Sequence, residues 1–420
     1  MNYALFSGLD EEFLALPFYE EQHRTTAVEL AEWCVAHADL WSRPLERTPE
    51  KAGREILSAL GSAGWLGFLD PANRPDAGGL RSVCLAREIL AYADDLADFA
   101  FSIQALSATP ILRWGSSAQQ GEYLPRMASG EVAGSFAISE EEAGSDISAV
   151  GLTADRVSGG YLLNGRKAWI AHAGIADVHC VIARTGEGPG ALGLTAFLVP
   201  AHTPGVRVLE EVPLVAPRSF GHLAFDDCLV PESSVLGRPG HGFVVATDLL
   251  ERFRMTVGAA AVGFARRARD SAVQRARERR IHGGRLLDLQ LVKGALADME
   301  IKLNASALLV ARAAWEFDHE NPGCAKHSSI AKVAATEAAQ EIVDAAVQLH
   351  GAAGLVADSV PERLYRQVRS LRIYEGASEV QKLIIADALG RRPHAGRSRV
   401  ASDVPPSRVD IRCVDGESHE

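Results

Sequence analysis

The sequence predicts an α+β protein built from an N-terminal helical domain, a middle β-domain and a C-terminal four-helix bundle. Apolar residues recur at helical spacing up to about residue 128. Short β-branched and aromatic segments bounded by Gly, Asp, Asn and Pro then run from Val132 to Leu236, after which the helical period returns. We therefore assign residues 1–130, 131–238 and 239–392 to the three domains. Residues 393–420 are polar and without periodicity, which predicts a disordered tail.

The N-terminal domain is predicted from four helical segments. Residues 25–35 and 52–60 carry apolar side chains at three-to-four spacing, as a partly exposed helix does. Residues 83–93 and 99–112 are apolar almost throughout, so we expect them to be inner helices. A further helix is predicted to begin after Gly115.

The middle domain is predicted to be a small β-barrel or sandwich. Residues 178–183 and 194–199 alternate in the manner of strands. The dipeptide Asn164-Gly165 is a strong turn signal, so we expect a chain reversal there.

The C-terminal domain is predicted from four long helical runs in succession. They cover residues 242–280, 286–318, 324–349 and 379–389, with few helix breakers inside them. Helices that follow one another with short links favour a bundle.

Composition and charge narrow the function classes. The net charge of −11 argues against general nucleic-acid binding, which needs Lys and Arg to neutralise phosphates. No apolar run approaches the roughly 18–20 residues that span a bilayer, and residues 1–6 do not resemble a signal peptide. The six cysteines are scattered without metal-ligand spacing, so we expect no metal or disulfide and a cytoplasmic location.

The most informative segment is residues 372–381, Arg-Ile-Tyr-Glu-Gly-Ala-Ser-Glu-Val-Gln. It places the carboxylate of Glu375 beside a glycine, which lets the backbone come close to a ligand. Read alone, it is also compatible with an ordinary turn. The segment resembles the signature around the catalytic glutamate of the acyl-CoA dehydrogenases, a family of FAD enzymes. The resemblance implies that Glu375 is the base that removes the α-proton of an acyl thioester.

Two segments at the entry to the β-domain resemble the flavin-binding signatures of the same family. Residues 137–146 read Ala-Ile-Ser-Glu-Glu-Glu-Ala-Gly-Ser-Asp, and residues 164–171 read Asn-Gly-Arg-Lys-Ala-Trp-Ile-Ala. The family forms are Thr-Glu-x-x-Ala-Gly-Ser-Asp and Asn-Gly-x-Lys-x-Trp-Ile-Thr. By this resemblance the flavin ring would be lined by Phe136, Ile138, Ser139, Gly144, Ser145, Trp169, Ile170 and Ala171. Ala171 replaces a hydroxyl that in the family hydrogen-bonds the flavin near N5.

Two segments of the bundle resemble the family's cofactor contacts across a subunit interface. Residues 278–290 resemble the form Arg-x-x-Phe-Gly-x-x-Leu-x-x-x-Gln, and residues 348–354 resemble Gln-x-x-Gly-Gly-x-Gly. Read alone, the first is a solvated basic link and the second a helix C-cap. The resemblance implies that a neighbouring subunit's FAD is contacted by Arg279, His282, Gln290, Gln348, Gly351 and Ala352. It therefore also implies a homo-oligomer, normally a tetramer.

The resemblance assigns the remaining site residues around Glu375. Ala377 and Glu379 would contact the flavin, and the thioester would be bordered by Ser145, Arg254, Tyr374 and Gly376. Phe253 stands where some family members carry their catalytic glutamate, which leaves Glu375 as the candidate base. Arg366 and Gln367 match the family's Arg-Asp pair only in part.

Three functions remain open from the sequence. The first is α,β-dehydrogenation of an acyl-CoA, with electrons passed to an electron-transfer flavoprotein. The second is a biosynthetic dehydrogenase, or an oxidase using O2, that acts on a thioester tethered to a carrier protein. The third is a flavin-free scaffold, which the alanines at positions 171, 352 and 377 favour. The resemblance covers residues 20–390 and does not specify the acyl chain.

Overall fold

The computed structural model of the chain describes residues 9–41, 48–70 and 79–390. In this part, helices, a β-sheet and a second set of helices follow one another, which confirms the predicted α+β plan. The predicted tail at residues 393–420 lies outside the described residues.

The N-terminal helices pack around two inner helices, as the sequence predicts. The helices are α1 (Glu11–Leu14), α2 (Glu21–Ala36), α3 (Pro49–Ser62), α4 (Leu80–Ala93), α5 (Asp95–Trp114) and α6 (Ser117–Ala128). Nearly every side chain of α4 and α5 is buried, which explains their unbroken apolar character. The helix starts are capped: Thr48 accepts from the N–H of Lys51, and Ser116 accepts from the N–H of Gln119.

The middle domain is one continuous sheet curled around its own core. The strands are β1 (Gly134–Ala137), β2 (Thr153–Val157), β3 (Gly160–Ala171), β4 (Val178–Arg184), β5 (Leu194–Pro200), β6 (Val206–Glu211), β7 (Phe220–Val230) and β8 (Val235–Leu236). Their order is β6-β7-β3-β2-β4-β5-β8, with β1 paired to β4. Side chains from six of these strands, including Tyr161, Phe197 and Phe225, form one interior cluster.

The turn predicted at Asn164-Gly165 is wrong. Both residues lie inside β3, where the pairing with β7 is shifted by a bulge and Gly165 has a φ of 141°. The Asn164 side chain serves the neighbouring strand instead, since it accepts from the N–H of Asp227 at 2.8 Å. The chain reverses at residues 158–159, where Gly159 has a φ of 93°.

The C-terminal domain is organised around one long buried helix. The remaining elements are α7 (Gly242–Glu278), β9 (Arg280–Ile281), β10 (Gly284–Arg285), α8 (Gln290–Asp318), α9 (Cys324–His350), α10 (Val360–Leu371) and α11 (Ser378–Gly390). Helix α7 packs against α8, α9 and α4, so it joins the bundle to the N-terminal helices. A buried ion pair between Arg266 of α7 and Glu88 of α4, at 2.8 Å, fixes this contact. Among the described residues, no helix combines the length and the apolar character needed to cross a bilayer.

The contact between α7 and α4 depends on a glycine. A Cβ at Gly263 would collide with the Glu88 carbonyl oxygen and lie 2.9 Å from the Ala91 side chain. We expect Gly263→Ala to destabilise the fold by about 1–3 kcal/mol, because two backbones must move apart. The thermal midpoint of unfolding measures this effect.

The matched control is Gly121→Ala in the exposed α6, where a Cβ meets no heavy atom within 4 Å. This change should stabilise the protein by about 0.5–1 kcal/mol, since a helical alanine loses less entropy on folding than a glycine. Equal effects of the two substitutions would contradict the proposed close approach of α7 and α4.

Candidate functional site

Glu375 lies in a strained link between α10 and α11. Glu375 has a φ of 53° and Gly376 a φ of 91°, so two successive residues are left-handed. The buried Gln381 side chain holds both, because its amide donates to the carbonyls of Glu375 at 3.2 Å and Gly376 at 3.1 Å. A Cβ at Gly376 would collide with this amide nitrogen. Glycine is therefore required here both for its φ and for the close approach.

Lys332 of α9 is a second support of the link. Its side chain is fully buried and Nζ donates to the Gly376 carbonyl at 2.8 Å. Burial lowers the pKa of Lys332 to about 8, while the negative charges of Glu375 and Glu337 oppose that shift. No motif in the sequence marks this residue. Its only signal was a lone lysine in the Ala- and Val-rich face of a helix.

The Glu375 carboxyl has a pKa close to neutral pH. Its Oε2 atom is buried and has no hydrogen-bond partner. Burial raises the pKa of Glu375 to about 7, and the positive charges of Arg87, Lys332 and Arg254 limit that rise. A carboxyl with this pKa can both accept and release a proton at neutral pH, as a general base must.

A buried ion pair lies close enough to Glu375 to affect its pKa. Arg87 of α4 donates to both carboxylate oxygens of Asp98 of α5, at 2.8 and 3.1 Å. It also donates to the hydroxyl of Thr256 of α7 at 2.8 Å. Although burial alone would lower it, the pKa of Arg87 is raised by the Asp98 carboxylate. Arg87 was missed because it lies within a segment predicted only as an inner helix.

Arg254 and Tyr374 complete the surroundings of the carboxyl. Arg254 is buried on α7, and its Nε has no hydrogen-bond partner. Burial lowers its pKa, whereas Glu251 and Glu375 raise it. Burial also raises the pKa of the Tyr374 hydroxyl. Phe253, next to Arg254, belongs to the apolar core.

The two predicted flavin-side segments are brought together by hydrogen bonds. The N–H of Ala168 donates to the Ser139 carbonyl at 2.9 Å. The buried Lys167 donates to the Ile138 carbonyl at 3.0 Å and to the Glu140 carboxylate at 2.7 Å. Lys167 and Glu140 were part of the quoted motifs, but the sequence analysis gave them no role.

The side chains of these segments differ in exposure. Trp169 has a φ of 59° at a bulge in β3, and its indole is 52% exposed beside His222. Phe136 and Ile170 are buried, whereas Gly144 and Ser145 are exposed in the loop after β1.

Arg218, which the sequence analysis did not consider, joins the two halves of the site. It stands just before β7, in which Phe220 pairs with Ala171 of β3. Its guanidinium donates to the Gln367 side chain at 2.8 Å and lies 3.5 Å from the Tyr374 hydroxyl. Arg218 therefore connects strands β3 and β7 to the link that carries Glu375.

The predicted intersubunit residues form a separate group. All six are exposed, namely Arg279, His282, Gln290, Gln348, Gly351 and Ala352. Their two segments lie near each other, because Arg275 of α7 donates to the carbonyl of His350 at 3.5 Å. Gln348 lies on the same helix as Lys332 but about 24 Å further along, at about 1.5 Å per residue. The structure thus separates this group from Glu375 of the same chain.

The residues predicted to contact FAD are compatible with the cofactor that the resemblance implies. The exposed Trp169 indole offers a flat face for a ring system. Among the described residues, the Glu375 N–H has no acceptor within hydrogen-bond distance. Ala171 carries only a methyl group, so its side chain can offer no hydrogen bond to a ring beside it. Ala352 does not adopt a positive φ, so the alanine is compatible with its turn.

Comparison with known proteins finds matches along most of the chain. The chain matches the family profiles described as acyl-CoA dehydrogenase N-terminal, middle and C-terminal domains, over residues 20–131, 135–228 and 240–390. It is 34% identical to a 3-(aryl)acrylate reductase of Clostridium sporogenes, over 89% of this chain and 99% of the relative. It is 40% identical to the mitochondrial short-chain specific acyl-CoA dehydrogenase of Homo sapiens, over 67% of this chain and 69% of the relative.

Solved structures show the same similarity. The butyryl-CoA dehydrogenase of Megasphaera elsdenii superposes with a TM-score of 0.80 and 29% identity, covering 93% of this chain and 100% of that one. The prolyl acyl carrier protein oxidase AnaB superposes with a TM-score of 0.81 and 25% identity, covering 89% of this chain and 100% of that one.

The raised pKa of Glu375 predicts a measurable effect on stability. Because the pKa rises from 4.5 to about 7, the folded state holds the proton more tightly than the unfolded state. Stability must therefore fall as the pH rises between these values and stay low above about pH 7. We expect Glu375→Gln to be more stable than the wild type at about pH 8, by up to about 3 kcal/mol. At about pH 4 the two should be nearly equal.

Denaturant unfolding at both pH values measures this difference. Glu32→Gln, on the exposed face of α2, is the matched control for the removal of a carboxyl. If the difference in stability between the wild type and Glu375→Gln is the same at both pH values, the pKa of Glu375 is not raised.

Proposed function

Because the chain belongs to the acyl-CoA dehydrogenase family, we propose that it catalyses α,β-dehydrogenation of an acyl thioester with Glu375 as the base. Members of this family are FAD oxidoreductases that act on CH–CH bonds, and FAD is the cofactor of this chain. The observation that carries the role of Glu375 is its half-buried carboxyl, with a pKa of about 7, on a link held by Gln381 and Lys332.

The first step is removal of the α-proton. The ionised Glu375 carboxylate accepts it, and the unpartnered Oε2 is free to form the new O–H bond. At neutral pH a large fraction of Glu375 is ionised, while its raised pKa makes it a stronger base than an exposed glutamate. When bound, FAD supplies the acceptor for the hydride that leaves the β-carbon.

Stabilisation of the enolate is the second requirement, because an α-proton beside a thioester is otherwise a very weak acid. The Glu375 N–H has no acceptor among the described residues, so it can donate to the thioester carbonyl oxygen. The positive charges of Lys332 and Arg254 lie close enough to Glu375 to affect its pKa, and they favour a negative charge on the substrate. Tyr374 and Gly376 would border the thioester.

The cofactor would be held from two directions. Trp169, Ile170 and Ala171 would lie against the flavin with the loop of Ser139 and Ser145, and Ala377 and Glu379 would approach from α11. The separate exposed group around Arg279 and Gln348 would contact the FAD of another copy, with Arg279 pairing to phosphate.

A homo-oligomer, most simply a tetramer, accounts for this second group. Large apolar side chains are exposed on the bundle, among them Leu291 at 90% exposure. Others are Ile301, Leu355, Ile373, Leu383 and Leu389. Burial of these side chains against another copy would remove apolar surface from water.

The thioester can be carried in two ways. An acyl-CoA is supported by the likeness to short-chain specific and butyryl-CoA dehydrogenases, with an electron-transfer flavoprotein as acceptor. A carrier-protein thioester, with O2 as acceptor, is supported by the likeness to the prolyl acyl carrier protein oxidase. The intact Glu375 site speaks against a flavin-free scaffold.

Anaerobic bleaching of the flavin tests the proposal. Matched acyl-CoA and carrier-protein thioesters should bleach the purified yellow enzyme, and the better of the two sets identifies the carrier. Glu375→Gln should slow the bleaching by about 10²–10⁴-fold, because the base is lost while FAD binding remains. Glu32→Gln should react as the wild type does. A colourless protein would support the scaffold, and unchanged bleaching in Glu375→Gln would exclude Glu375 as the base.

The pH dependence of bleaching tests the electrostatics of the site. In the wild type the rate should rise with pH through about 7, since only the carboxylate accepts a proton. Lys332→Met removes a cation that lowers the pKa of Glu375, so the rise should move to higher pH by about one unit or more. Lys332→Arg, which keeps the charge, is the control. If Lys332→Met lowers the maximal rate but leaves the midpoint of the pH–rate profile unchanged, Lys332 holds the conformation of the Glu375 link and does not affect the pKa of Glu375.

A further inference from the structure

Arg218 is a buried cation whose partners are all neutral. Its side chain is 4% exposed, and it donates to the side chains of Gln367 at 2.8 Å, Ser370 at 3.3 Å and Tyr374 at 3.5 Å. Its Nε has no partner. Among the described residues, no carboxylate lies within 4.0 Å of the guanidinium. A buried charge without a counter-ion is costly, so a missing anion is the simplest explanation.

Three other buried arginines of the described chain have such counter-ions, namely Arg81, Arg87 and Arg266, whereas Arg254 beside Glu375 forms no salt bridge. Arg87 pairs with Asp98 at 2.8 Å, and Arg266 pairs with Glu88 at 2.8 Å. These pairs lie between helices and connect parts of the fold. Arg218 differs because its nearest acceptor is an uncharged amide.

Arg218 lies beside Tyr374, the residue that precedes Glu375. It contacts the hydroxyl at the far end of the Tyr374 ring. Its guanidinium also lies 5.3 Å from the centre of the Phe99 ring, next to Asp98 in α5. An acyl chain with its α-carbon at Glu375 would pass the Tyr374 ring before it reaches Arg218.

The charges around Arg218 favour an anionic ligand. The charges of Arg87 and Asp98 cancel. Glu375 and Glu337 act on Lys332, and Glu251 and Glu375 act on Arg254, whereas Arg218 has no carboxylate partner of its own among the described residues. A neutral acyl chain would leave the charge of Arg218 uncompensated in the ground state.

We propose that Arg218 binds a carboxylate at the far end of the acyl group, so that the preferred substrates are thioesters of dicarboxylic acids. This inference rests on the proposed dehydrogenation and names its substrate class. The planar guanidinium suits a carboxylate, because two parallel N–H donors match its two oxygens. The α-proton passes to Glu375 and the β-hydride to FAD, while the terminal carboxylate is unchanged.

Matched thioesters test the proposal on the holoenzyme. Succinyl-, glutaryl- and adipoyl-CoA are compared with butyryl-, valeryl- and hexanoyl-CoA, which have the same chain lengths without the carboxylate. We expect at least one dicarboxylic thioester to bind and bleach the flavin about 10–100-fold more effectively than its neutral counterpart. Should all of these thioesters react, but the neutral ones at least as well, the Arg218 subsite is wrong and the dehydrogenation stands. If none of them reacts and carrier-protein thioesters also fail, the dehydrogenation itself is wrong.

Two variants locate the preference at Arg218. Arg218→Met removes the cation, and Gln367→Glu gives it a carboxylate partner within the protein. Both should abolish the preference for the dicarboxylic member while the neutral thioesters continue to react. Retention of the preference in Gln367→Glu would overturn the proposal. The proposal would also be overturned if Arg218→Met shifted the flavin spectrum and slowed bleaching equally with dicarboxylic and neutral thioesters. Arg218 would then contact or position the flavin. The wild-type comparison decides the matter if a variant does not fold.

Discussion

The left-handed turn at Glu375 and Gly376 is the constraint on which the rest of the site depends. Two such residues in succession cost of order 1–3 kcal/mol for the non-glycine member. Gln381 and Lys332 offset this cost, because each donates to a carbonyl of the turn. The turn gives a carboxyl and an adjacent N–H without partners of their own. A helix that continued through these residues would have used the N–H in its own hydrogen bonds.

Opposing electrostatic effects then set the state of the carboxyl. Burial alone would keep Glu375 protonated, and the surrounding cations bring its pKa back to about 7. Those cations come from α4, α7 and α9, so the pKa of Glu375 depends on the packing of the N-terminal helices against the bundle. Thr256 makes the same point, since it binds Arg87 of the other domain through its hydroxyl. The ionisation of Glu375 and the folding of the chain are therefore coupled through buried polar contacts.

The sequence predicted the features that a single continuous segment determines, and it did not predict contacts between residues far apart in the chain. The apolar pattern within each segment was enough to predict helices α4 and α5 and the strands around Phe197. Glu375 could be proposed as a site residue because its neighbours form a continuous motif. Arg87, Arg218 and Lys332 could not, because each is a single charged residue in an ordinary segment and meets the site only after folding. Asn164-Gly165 failed for the same reason: cross-strand bonding to Asp227 outweighed the local preference for a turn.

The central claim is that Glu375 removes an α-proton, and a thioester without a β-carbon isolates that step. Acetyl-CoA cannot be dehydrogenated, but its α-hydrogens can exchange with deuterium when the holoenzyme is incubated in D2O. Mass spectrometry of the recovered acetyl-CoA measures the exchange. The account predicts exchange with the wild type well above the enzyme-free rate, and a loss of about 10²-fold or more in Glu375→Gln. Equal exchange by the two proteins would contradict it.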